Sequence, residues 1–389
     1  MHYYLITLMI LNIHASSESF KVLQSLRLHE YDVKSKDELL EAFALDICGI
    51  AFTNKTPSVI VNAFGPISYC ATLIRTEAPR QELTRQLLAC KSNIEIESLA
   101  LNSRNLETAV RHIHEDGLVI IEDVVPHEHL DILNQKMAHD AQILQNRGEK
   151  GPFNYNKGNI QQDAPPVAKY FFSSIFANPI ATQITSAVLG PRPKWTFCSA
   201  NSAMPTLSGE KPLRQPVHSD ADFTHPAHPF ALVLNVPLVT TTPENGSTEI
   251  WLGTHSKMGA EAQEGAHGER ASGRINEELL RRRQEVVPPV QPVIKKGSIV
   301  VRDLRLWHAG MPNLTADIRV MLALIHFAPW YRNKMRLQFG DDIKPILDTL
   351  EREGKLGLEV PVDWLNSKEA MGSYLDRGFG NSYDFDQEH

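Results

Sequence analysis

A histidine and an aspartate separated by one residue, His218 and Asp220, are followed much later in the chain by His308. Two imidazoles and one carboxylate form the facial triad that binds non-haem Fe(II) and leaves positions open for a substrate and O2. Side chains at i and i+2 of a β-strand lie on one face, so we expect His218 and Asp220 to bind one ion from one strand. Asp222 falls on the same face and is an alternative carboxylate. The third ligand must come from another strand, and the run Ser298–Asp303 predicts one just before it.

Arg319 opens a second strand-like run after the last of these histidines. On such a strand its side chain shares one face with Met321, Ala323 and Ile325. A guanidinium near the metal suits bidentate binding of a carboxylate on a ligand that also chelates the metal. A short dicarboxylic 2-oxo acid satisfies both demands, because its 2-oxo acid end chelates iron while its far carboxylate reaches the arginine. Pairing of Arg319 with an internal acid such as Asp303 is the alternative interpretation.

Three blocks of the sequence occur in an order that is shared with one enzyme family. They are Ala109–Ile121, Gln215–Asp220 with its continuations Asn245–Trp251 and Gly253–His255, and His308–Gly310 with Arg319. Together they resemble the phytanoyl-CoA dioxygenase family of Fe(II)/2-oxoglutarate-dependent oxygenases, particularly its fungal and bacterial members in small-molecule metabolism. The match spans roughly residues 105 to 332 and is nearly silent on the substrate.

The resemblance implies a function for the residues already singled out. His218, Asp220 and His308 would hold Fe(II), and Arg319 would bind the distal carboxylate of the co-substrate 2-oxoglutarate. The expected reaction uses O2 to oxidise a small organic molecule, a secondary-metabolite intermediate rather than an acyl-CoA, and releases succinate and CO2. Related halogenases replace the acid with a small residue, so the carboxylate of Asp220 argues against halogenation. The alternatives are a cupin-like binding or scaffolding protein without turnover, and a Zn or Mn enzyme, in which Arg319 would lack a role.

Two further residues are candidates for binding the co-substrate. The family often contacts 2-oxoglutarate through a glutamine near the first iron ligand, and Gln215 occupies that position. On a regular strand Gln215 would face away from His218, so we expect a bulge or turn at Pro216. Thr248 follows the turn signal at residues 245–246, and its hydroxyl could donate to the co-substrate carboxylate. Threonine is equally common in strands for packing reasons, so both interpretations stay open.

The order of the predicted elements indicates the architecture. Apolar residues at helical spacing occur before residue 190, including Leu106, Val110 and Ile113, then Leu130, Leu133 and Met137. From Lys194 onward, short apolar runs predict strands at Trp195–Ala200, Phe230–Val236, Thr248–Leu252, Ile299–Asp303 and Val320–Phe327. Helices followed by short strands predict a mainly β fold with flanking helices (α+β), specifically a double-stranded β-helix, or jelly roll, of cupin type.

The resemblance also suggests how the chain divides. Residues 1–97 lie outside it and are predicted to form an N-terminal α/β extension of unknown role. Residues 98–335 are the expected dioxygenase domain. Residues 336–389 are expected to contain a polar helix over Ile343–Glu353 and a flexible acidic tail.

Composition restricts the class of protein. The 389 residues carry a net charge of −7, which argues against a general nucleic-acid binder. The cluster Arg281–Arg283 is flanked by acids and predicts a solvated helix face. The four cysteines form no CxxC pair, so we expect neither a zinc site nor a disulfide framework, and a reducing, cytoplasmic location. The apolar run Tyr3–Ile13 is too short to span a bilayer and lacks preceding positive charges, which leaves secretion a minority reading and predicts no membrane partner. The oligomeric state is not predicted.

Several other residues suggest secondary roles. Gly265–Arg274 is rich in glycine and predicts either a mobile lid or a plain surface loop, and Gly151–Pro166 is a candidate rim of the site. His255 matches a structural corner of the family rather than an iron ligand. Trp251 and Trp307 are predicted to be core or wall aromatics.

Overall fold

The structure is a computed structural model that describes residues 100–223, 225–256, 258–264 and 273–377. Compactness divides the chain into two units, Met1–Cys90 with Val286–Pro288, and Lys91–Glu285 with Pro289–His389. Apart from Val286–Pro288, the described residues belong to the second unit. The predicted N-terminal extension, the apolar run near the start of the chain and the acidic tail lie outside the described residues.

The described ranges contain both α-helices and β-strands. The α-helices are α1 (Ser103–Asp116), α2 (His127–Gln145), α3 (Ser173–Phe176), α4 (Pro179–Leu189), α5 (Glu277–Val286), α6 (Lys344–Arg352) and α7 (Ser367–Ser373). The strands are β1 (Leu118–Ile121), β2 (Asn159–Gln162), β3 (Lys194–Ala203), β4 (Ala231–Pro237), β5 (Glu249–Ile250), β6 (Gln263–Glu264), β7 (Arg274–Ile275), β8 (Ile299–Asp303), β9 (His308–Ala309), β10 (Arg319–Phe327), β11 (Leu337–Gly340) and β12 (Val362–Leu365). Within these ranges, no helix has the length and apolar character needed to cross a lipid bilayer.

The first helix and strand follow the predicted pattern. The side chain of Asn102 caps α1 by accepting a hydrogen bond from the backbone N–H of Asn105. The helix ends at Gly117, whose φ of 89° is the left-handed conformation that glycine adopts without steric penalty. The buried strand β1 begins at the next residue. Within the sequence block Ala109–Ile121, Gly117 is therefore the C-cap that separates α1 from β1.

The next helices differ in how well the sequence predicts them. The amphipathic helix predicted from Leu130, Leu133 and Met137 is confirmed as α2, because all three side chains are fully buried. The helical region predicted before residue 190 is divided into α3 and α4. Asn178 caps α4, and Pro179 occupies its first turn, where a missing N–H leaves no hydrogen bond unmade.

One large antiparallel sheet forms the centre of the fold. Its six strands have the order β1-β8-β4-β10-β3-β2. The strand β10 lies between β4 and β3 and pairs antiparallel with both. The main hydrophobic core contains side chains from five of these strands (β1, β3, β4, β8 and β10) and from the helices α1, α2, α3 and α4. A mixed helix-and-strand protein with a large antiparallel sheet is thus confirmed.

Smaller pairings lie beside this sheet. The strand β5 pairs with β9, and β6 pairs with β7, both antiparallel. Trp251 and Trp307 are buried there in a second apolar cluster with Val217 and Ile275. The prediction that both tryptophans are core residues is confirmed.

Two further helices match their predictions. In α5, Arg281 binds Glu278 and Glu285, and Arg282 binds Glu278, so these two exposed arginines form a solvated helix face. Arg283 differs from the prediction, because it is half-buried and donates to the carbonyl oxygen of Leu252. The polar helix predicted after residue 342 is α6. The strands β11 and β12, which the sequence did not predict, form a parallel pair, and α6 lies between them in the sequence. The aromatic ring of Phe339 in β11 lies 5.6 Å from that of Trp195 in β3, so this segment shares the main core.

Candidate active site

The side chains of His218 and Asp220 meet that of His308, which lies much later in the chain, at one point in the structure. Oδ1 of Asp220 lies 3.8 Å from Nε2 of His218 and 3.7 Å from Nε2 of His308. The centroids of the two imidazole rings are 4.3 Å apart. Asp220, rather than Asp222, supplies the carboxylate of this cluster. The arrangement can bind one metal ion from one side.

The backbone that carries the first two ligands differs from the predicted strand. His218 forms an isolated antiparallel bridge with His308, in which each N–H donates to the other carbonyl oxygen at 2.9 and 3.0 Å. Asp220 lies in a bend beyond that bridge. The prediction that one regular strand presents both ligands is therefore wrong. The physical reason is local, because Oγ of Ser219 accepts a hydrogen bond from the N–H of Ala221 and closes a turn there.

The third ligand comes from a smaller sheet. His308 begins β9, where it pairs with Ile250 of β5. A turn between β8 and β9 separates His308 from the six-stranded sheet. Another strand supplies this ligand, as expected, but that strand is β9 and not the predicted run Ser298–Asp303, which forms β8.

Both histidines present an unprotonated nitrogen to the shared point. Nδ1 of His218 lies 2.9 Å from the carbonyl oxygen of Pro216, and Nδ1 of His308 lies 2.9 Å from that of Leu306. A carbonyl only accepts hydrogen bonds, so Nδ1 carries the proton in each ring and Nε2 faces Asp220. Burial lowers the pKa of His218 and lowers the pKa of His308 to about 3. Both rings are therefore neutral at pH 7.

Asp220 remains charged in spite of its burial. Burial acts to raise the pKa of Asp220, but Arg302 and the two histidines outweigh it, and the pKa falls below its ordinary range. Two neutral imidazoles and one carboxylate are the donor set of 2-His-1-carboxylate Fe(II) sites. The residues present therefore fit a non-haem iron ion.

Arg319 is a buried cation without an acidic partner among the described residues. Its Nη2 donates to the carbonyl oxygen of Gly246 at 2.7 Å, its Nη1 donates to that of Asn201 at 3.3 Å, and its buried Nε has no partner. Burial lowers the pKa of Arg319 to about 10. Asp303, the alternative partner, is instead bound by two nitrogens of Arg305. Arg319 therefore lines the same cavity as the three ligands, and the N–H of its Nε has no hydrogen-bond partner among the described residues.

The sequence pattern of the phytanoyl-CoA dioxygenase family (PhyH) matches residues 113–321, which is more than half of the chain. The chain belongs to this family. The matched range includes His218, Asp220, His308 and Arg319. The protein is accordingly an enzyme of the non-haem iron, 2-oxoglutarate-dependent class.

Solved structures similar to this chain share little sequence with it. The epimerase SnoN, crystallised with Fe3+, alpha ketoglutarate and nogalamycin RO, is 16% identical with a TM-score of 0.44 over 58% of this chain and 84% of that chain. AviO1 from Streptomyces viridochromogenes Tue57 is 16% identical with a TM-score of 0.41 over 58% of this chain and 95% of that chain. EctD from S. alaskensis, crystallised with 2-oxoglutarate and 5-hydroxyectoine, is 18% identical with a TM-score of 0.40 over 61% of this chain and 80% of that chain.

A second arginine in the cavity of this phytanoyl-CoA dioxygenase family member was missed by the sequence analysis. Arg302 donates through Nη2 to Oδ2 of Asp220, and through Nε to Oδ1 of Asn235 at 2.9 Å. Its Nη1 is buried and has no hydrogen-bond partner among the residues that the structure describes. A signal existed in the sequence, because a charged residue interrupts the apolar strand of Ile299, Val300 and Val301.

The two further candidates for co-substrate binding both line the cavity. Gln215 accepts a hydrogen bond from the N–H of Gly310 at 2.8 Å, and its amide donates to the carbonyl oxygen of Asn154 at 3.3 Å. The oxygen and the nitrogen of its side-chain amide are therefore both hydrogen-bonded to backbone groups. Thr248 immediately precedes β5 and is half-buried. It lines the cavity next to the smaller sheet.

The strand β10 supplies one wall of the cavity. Arg319, Met321, Ala323 and Ile325 all line it, which confirms that they share one face. Apolar side chains from β3 and β4 extend this wall, including Phe197 and Val233, beside the polar Ser199, Asn201 and Asn235. The cavity thus has a polar part around the triad and an apolar part behind it.

The predicted rim segment contributes directly to the site. Asn154 and Gln161 line the cavity, and β2 forms the edge of the large sheet. The ring of Tyr155 lies 4.7 Å from that of His218, and its φ of 66° is left-handed. Burial, followed by Asp220 and Asp222, raises the pKa of Tyr155 above its ordinary range, so the phenol stays protonated.

The remaining histidine and loop predictions have separate outcomes. His255 is buried and its Nε2 lies 3.2 Å from the carbonyl oxygen of His114, which confirms a structural role. The predicted lid is described only at its end, where Arg274 lies in β7 and forms a backbone bridge with His218. Its other residues, 265–272, lie outside the described residues.

Proposed function

We propose that this protein is an Fe(II)- and 2-oxoglutarate-dependent oxygenase that oxidises a small organic molecule and releases succinate and CO2. The observation that carries the proposal is a single cavity lined by two neutral imidazoles, a carboxylate and the buried Arg319, which has no acidic partner among the described residues. The first three groups suit the metal, and the fourth suits the co-substrate.

The metal would be held by Nε2 of His218, Nε2 of His308 and Oδ1 of Asp220. Bound iron would supply activation of O2, coupled to oxidative decarboxylation of 2-oxoglutarate. The protein fixes the ligands beforehand, because the carbonyl oxygens of Pro216 and Leu306 set the tautomer and the ring orientation.

Arg319 would pair with the distal carboxylate of 2-oxoglutarate. A fully buried guanidinium is unfavourable without an anion, and in the described structure its partners are two neutral carbonyl groups. Thr248 is our candidate for a further donor to that carboxylate. Gln215 is a cofactor-binding candidate through its remaining amide N–H, since its oxygen is bound to Gly310.

The finer architecture that we propose is a double-stranded β-helix of the cupin type. Residues of the six-stranded sheet and residues of the β5–β9 pair line one cavity, as the two sheets of a jelly roll would. The apolar side chains of Met321, Ala323 and Ile325 would keep water from the reacting centre and limit side reactions.

For the substrate, we propose a secondary-metabolite-like small molecule rather than an acyl-CoA. An acyl-CoA would require free cations for its phosphates near the entrance. In the described structure, Arg281 and Arg282 are bound to acids, and Arg283 donates to the carbonyl oxygen of Leu252. The retained carboxylate of Asp220 favours oxidation without halide.

The test is anaerobic reconstitution with Fe(II) and 2-oxoglutarate, followed by absorption spectroscopy for the metal-to-ligand charge-transfer band of the chelated co-substrate. We expect a weak band in the native protein and its loss in His308→Ala. His228→Ala is the matched control, because His228 is an exposed loop histidine, and it should keep the band. A band that persists unchanged in His308→Ala would sink the assignment of the triad.

Turnover is tested separately by succinate release. Native protein incubated with Fe(II), 2-oxoglutarate and O2 should form succinate slowly without a substrate, and faster with a substrate from a panel of small molecules. Efficient hydroxylation of phytanoyl-CoA would overturn the proposed substrate class. Bound iron without any succinate would identify a metal-binding protein without catalysis.

A further inference from the structure

Arg302 lies outside the sequence blocks that carry the family resemblance, yet it contacts the metal-binding carboxylate. It is 5% exposed, and it follows three buried apolar residues, Ile299–Val301, in the same strand. Its Nη2 engages Oδ2 of Asp220, while Oδ1 of the same carboxylate faces both histidines. The two oxygens of Asp220 thus have separate partners.

We propose that Arg302 is a positioning residue of the metal centre. It holds Oδ2 so that Asp220 presents Oδ1 alone to the metal, and its unpartnered Nη1 donates to the carboxylate of 2-oxoglutarate that chelates the metal. This inference rests on the proposed function and adds a residue to it.

The orientation of Asp220 depends on Arg302. Arg302 donates a hydrogen bond to this carboxylate, whereas the two imidazoles present unprotonated Nε2 atoms to it at 3.8 and 3.7 Å. Asn235 in turn fixes the guanidinium through Nε. Asn235, Arg302 and Asp220 therefore form a chain of hydrogen bonds that ends at the ligand atom, which is how outer residues orient metal ligands.

The spare N–H of Arg302 indicates a ligand. A buried donor without an acceptor is destabilising, and such groups are rare unless a water, ion or ligand completes them. Of the charged residues that line the cavity, Asp220 is negative, and Arg302 and Arg319 are positive. The excess positive charge suits a dianion, with Arg319 for one carboxylate and Arg302 for the other.

The neighbouring ion pair of Arg305 with Asp303 provides a comparison with an arginine that has only a structural role. Arg305 binds both oxygens of Asp303 and also donates to the backbone carbonyls of Pro226 and Ala227. All its nitrogens have partners, and it does not line the cavity. Arg302 differs in both respects, which separates a role at the site from a role in the scaffold.

The experiment is an anaerobic titration of Fe(II) at saturating 2-oxoglutarate, which measures metal affinity and the position of the charge-transfer band. Arg302→Gln should weaken metal binding roughly 10- to 100-fold, the usual effect of losing a hydrogen-bond partner of a metal ligand. Its band should also shift, because the chelating carboxylate loses a donor. Arg302→Lys keeps a cation and should recover part of the affinity.

Arg305→Gln is the matched control, since it removes a buried arginine of the same segment. It should lower the melting temperature but leave the metal affinity and the band of the folded protein near native values. A metal affinity of Arg302→Gln within about twofold of native, together with an unshifted charge-transfer band, would overturn the proposal.

If Arg302→Gln does not fold, Asn235→Ala provides the test, because it frees the guanidinium but keeps the charge. A smaller loss of metal affinity is then expected, and no loss would refute the positioning role.

Failure of the proposed function would look different. A native protein that binds Fe(II) but shows no charge-transfer band would contradict use of 2-oxoglutarate. The positioning role is then decided by Mn(II) binding alone. Weaker binding by Arg302→Gln supports it, and equal or tighter binding overturns it, because removal of a nearby positive charge should otherwise favour the cation.

Discussion

Arg319 shows how a single buried side chain can indicate a ligand. A guanidinium is always protonated in proteins and seldom fully buried without an anion. In the described structure Arg319 donates to two backbone carbonyl oxygens. Asp303, which the sequence offered as an alternative partner, is bound by Arg305 instead. The interpretation as a scaffold ion pair with Asp303 is therefore not the arrangement that the structure has.

The first prediction at this scale concerns substitution of Arg319. Arg319→Lys keeps the charge but loses the planar pair of donors, which should weaken 2-oxoglutarate binding by about 1.5–3 kcal/mol. This corresponds to a roughly ten- to hundredfold higher requirement for 2-oxoglutarate in succinate formation. Arg319→Ala should be worse, because the carboxylate would enter the cavity unpaired.

Two measurements distinguish a loss of 2-oxoglutarate binding in the Arg319 variants from a general loss of stability. Fe(II) binding in the absence of 2-oxoglutarate should survive both substitutions, because Arg319 does not belong to the triad. Thermal unfolding reports on the scaffold. An Arg319→Ala protein that melts far below the native protein, while its dependence on 2-oxoglutarate is unchanged, would show that the residue stabilises the fold only.

At the scale of elements, the turn before β5 links the backbone to the co-substrate site. Gly246 has a φ of 81°, and a Cβ atom there would lie 2.5 Å from the carbonyl oxygen of Met311. Its own carbonyl oxygen accepts the 2.7 Å hydrogen bond from Nη2 of Arg319. The glycine is therefore required both by the backbone conformation and by the close approach of another segment.

We predict that Gly246→Ala destabilises the protein by roughly 2–4 kcal/mol, because strain and steric overlap add. Gly209→Ala is the control, since its φ of 86° is also positive but nothing lies within 4 Å of an added Cβ. That substitution should cost about 1 kcal/mol. Urea unfolding measures both. Gly246→Ala should also weaken 2-oxoglutarate binding, and equal stability of the two variants would contradict the overlap argument.

Element by element, the sequence predicted what depends on local pattern. The strands β3, β4, β8 and β10 and the helices α1 and α2 follow from apolar periodicity and turn residues. The strand β5 lies within the predicted run Thr248–Leu252. The two-residue strand β9 does not follow from local pattern, because long-range backbone pairing such as that of His218 with His308 creates it. The bend at Asp220 was missed because a hydrogen bond to the side chain of Ser219 replaces the regular strand there. Arg302 was missed for a related reason. Its partners Asp220 and Asn235 are distant in the chain, and only the tertiary fold brings them together.

For the whole molecule, the charge of the cavity couples its two ligands. Among the described residues, one carboxylate and two guanidinium groups line it, so this part of the site is net positive before any ligand enters. A divalent metal alone adds positive charge to a buried positive site, which is unfavourable in a medium of low polarity. A dianionic 2-oxo acid compensates for that charge and chelates the same ion. Each ligand should therefore favour the other, and the coupling must be equal in both directions.

The last prediction follows from this coupling and is measured by thermal unfolding. Mn(II), a redox-inactive substitute for iron, and 2-oxoglutarate should each raise the melting temperature slightly, and together by more than the sum of the two shifts. A complex formed at about 100 times its Kd adds about 2.7 kcal/mol of stability, which for a domain of this size is roughly 5–10 °C. His308→Ala should abolish the excess while leaving the response to 2-oxoglutarate alone, because Arg319 is still present. Strictly additive shifts in the native protein would contradict a shared cavity in which metal and co-substrate compensate each other's charge.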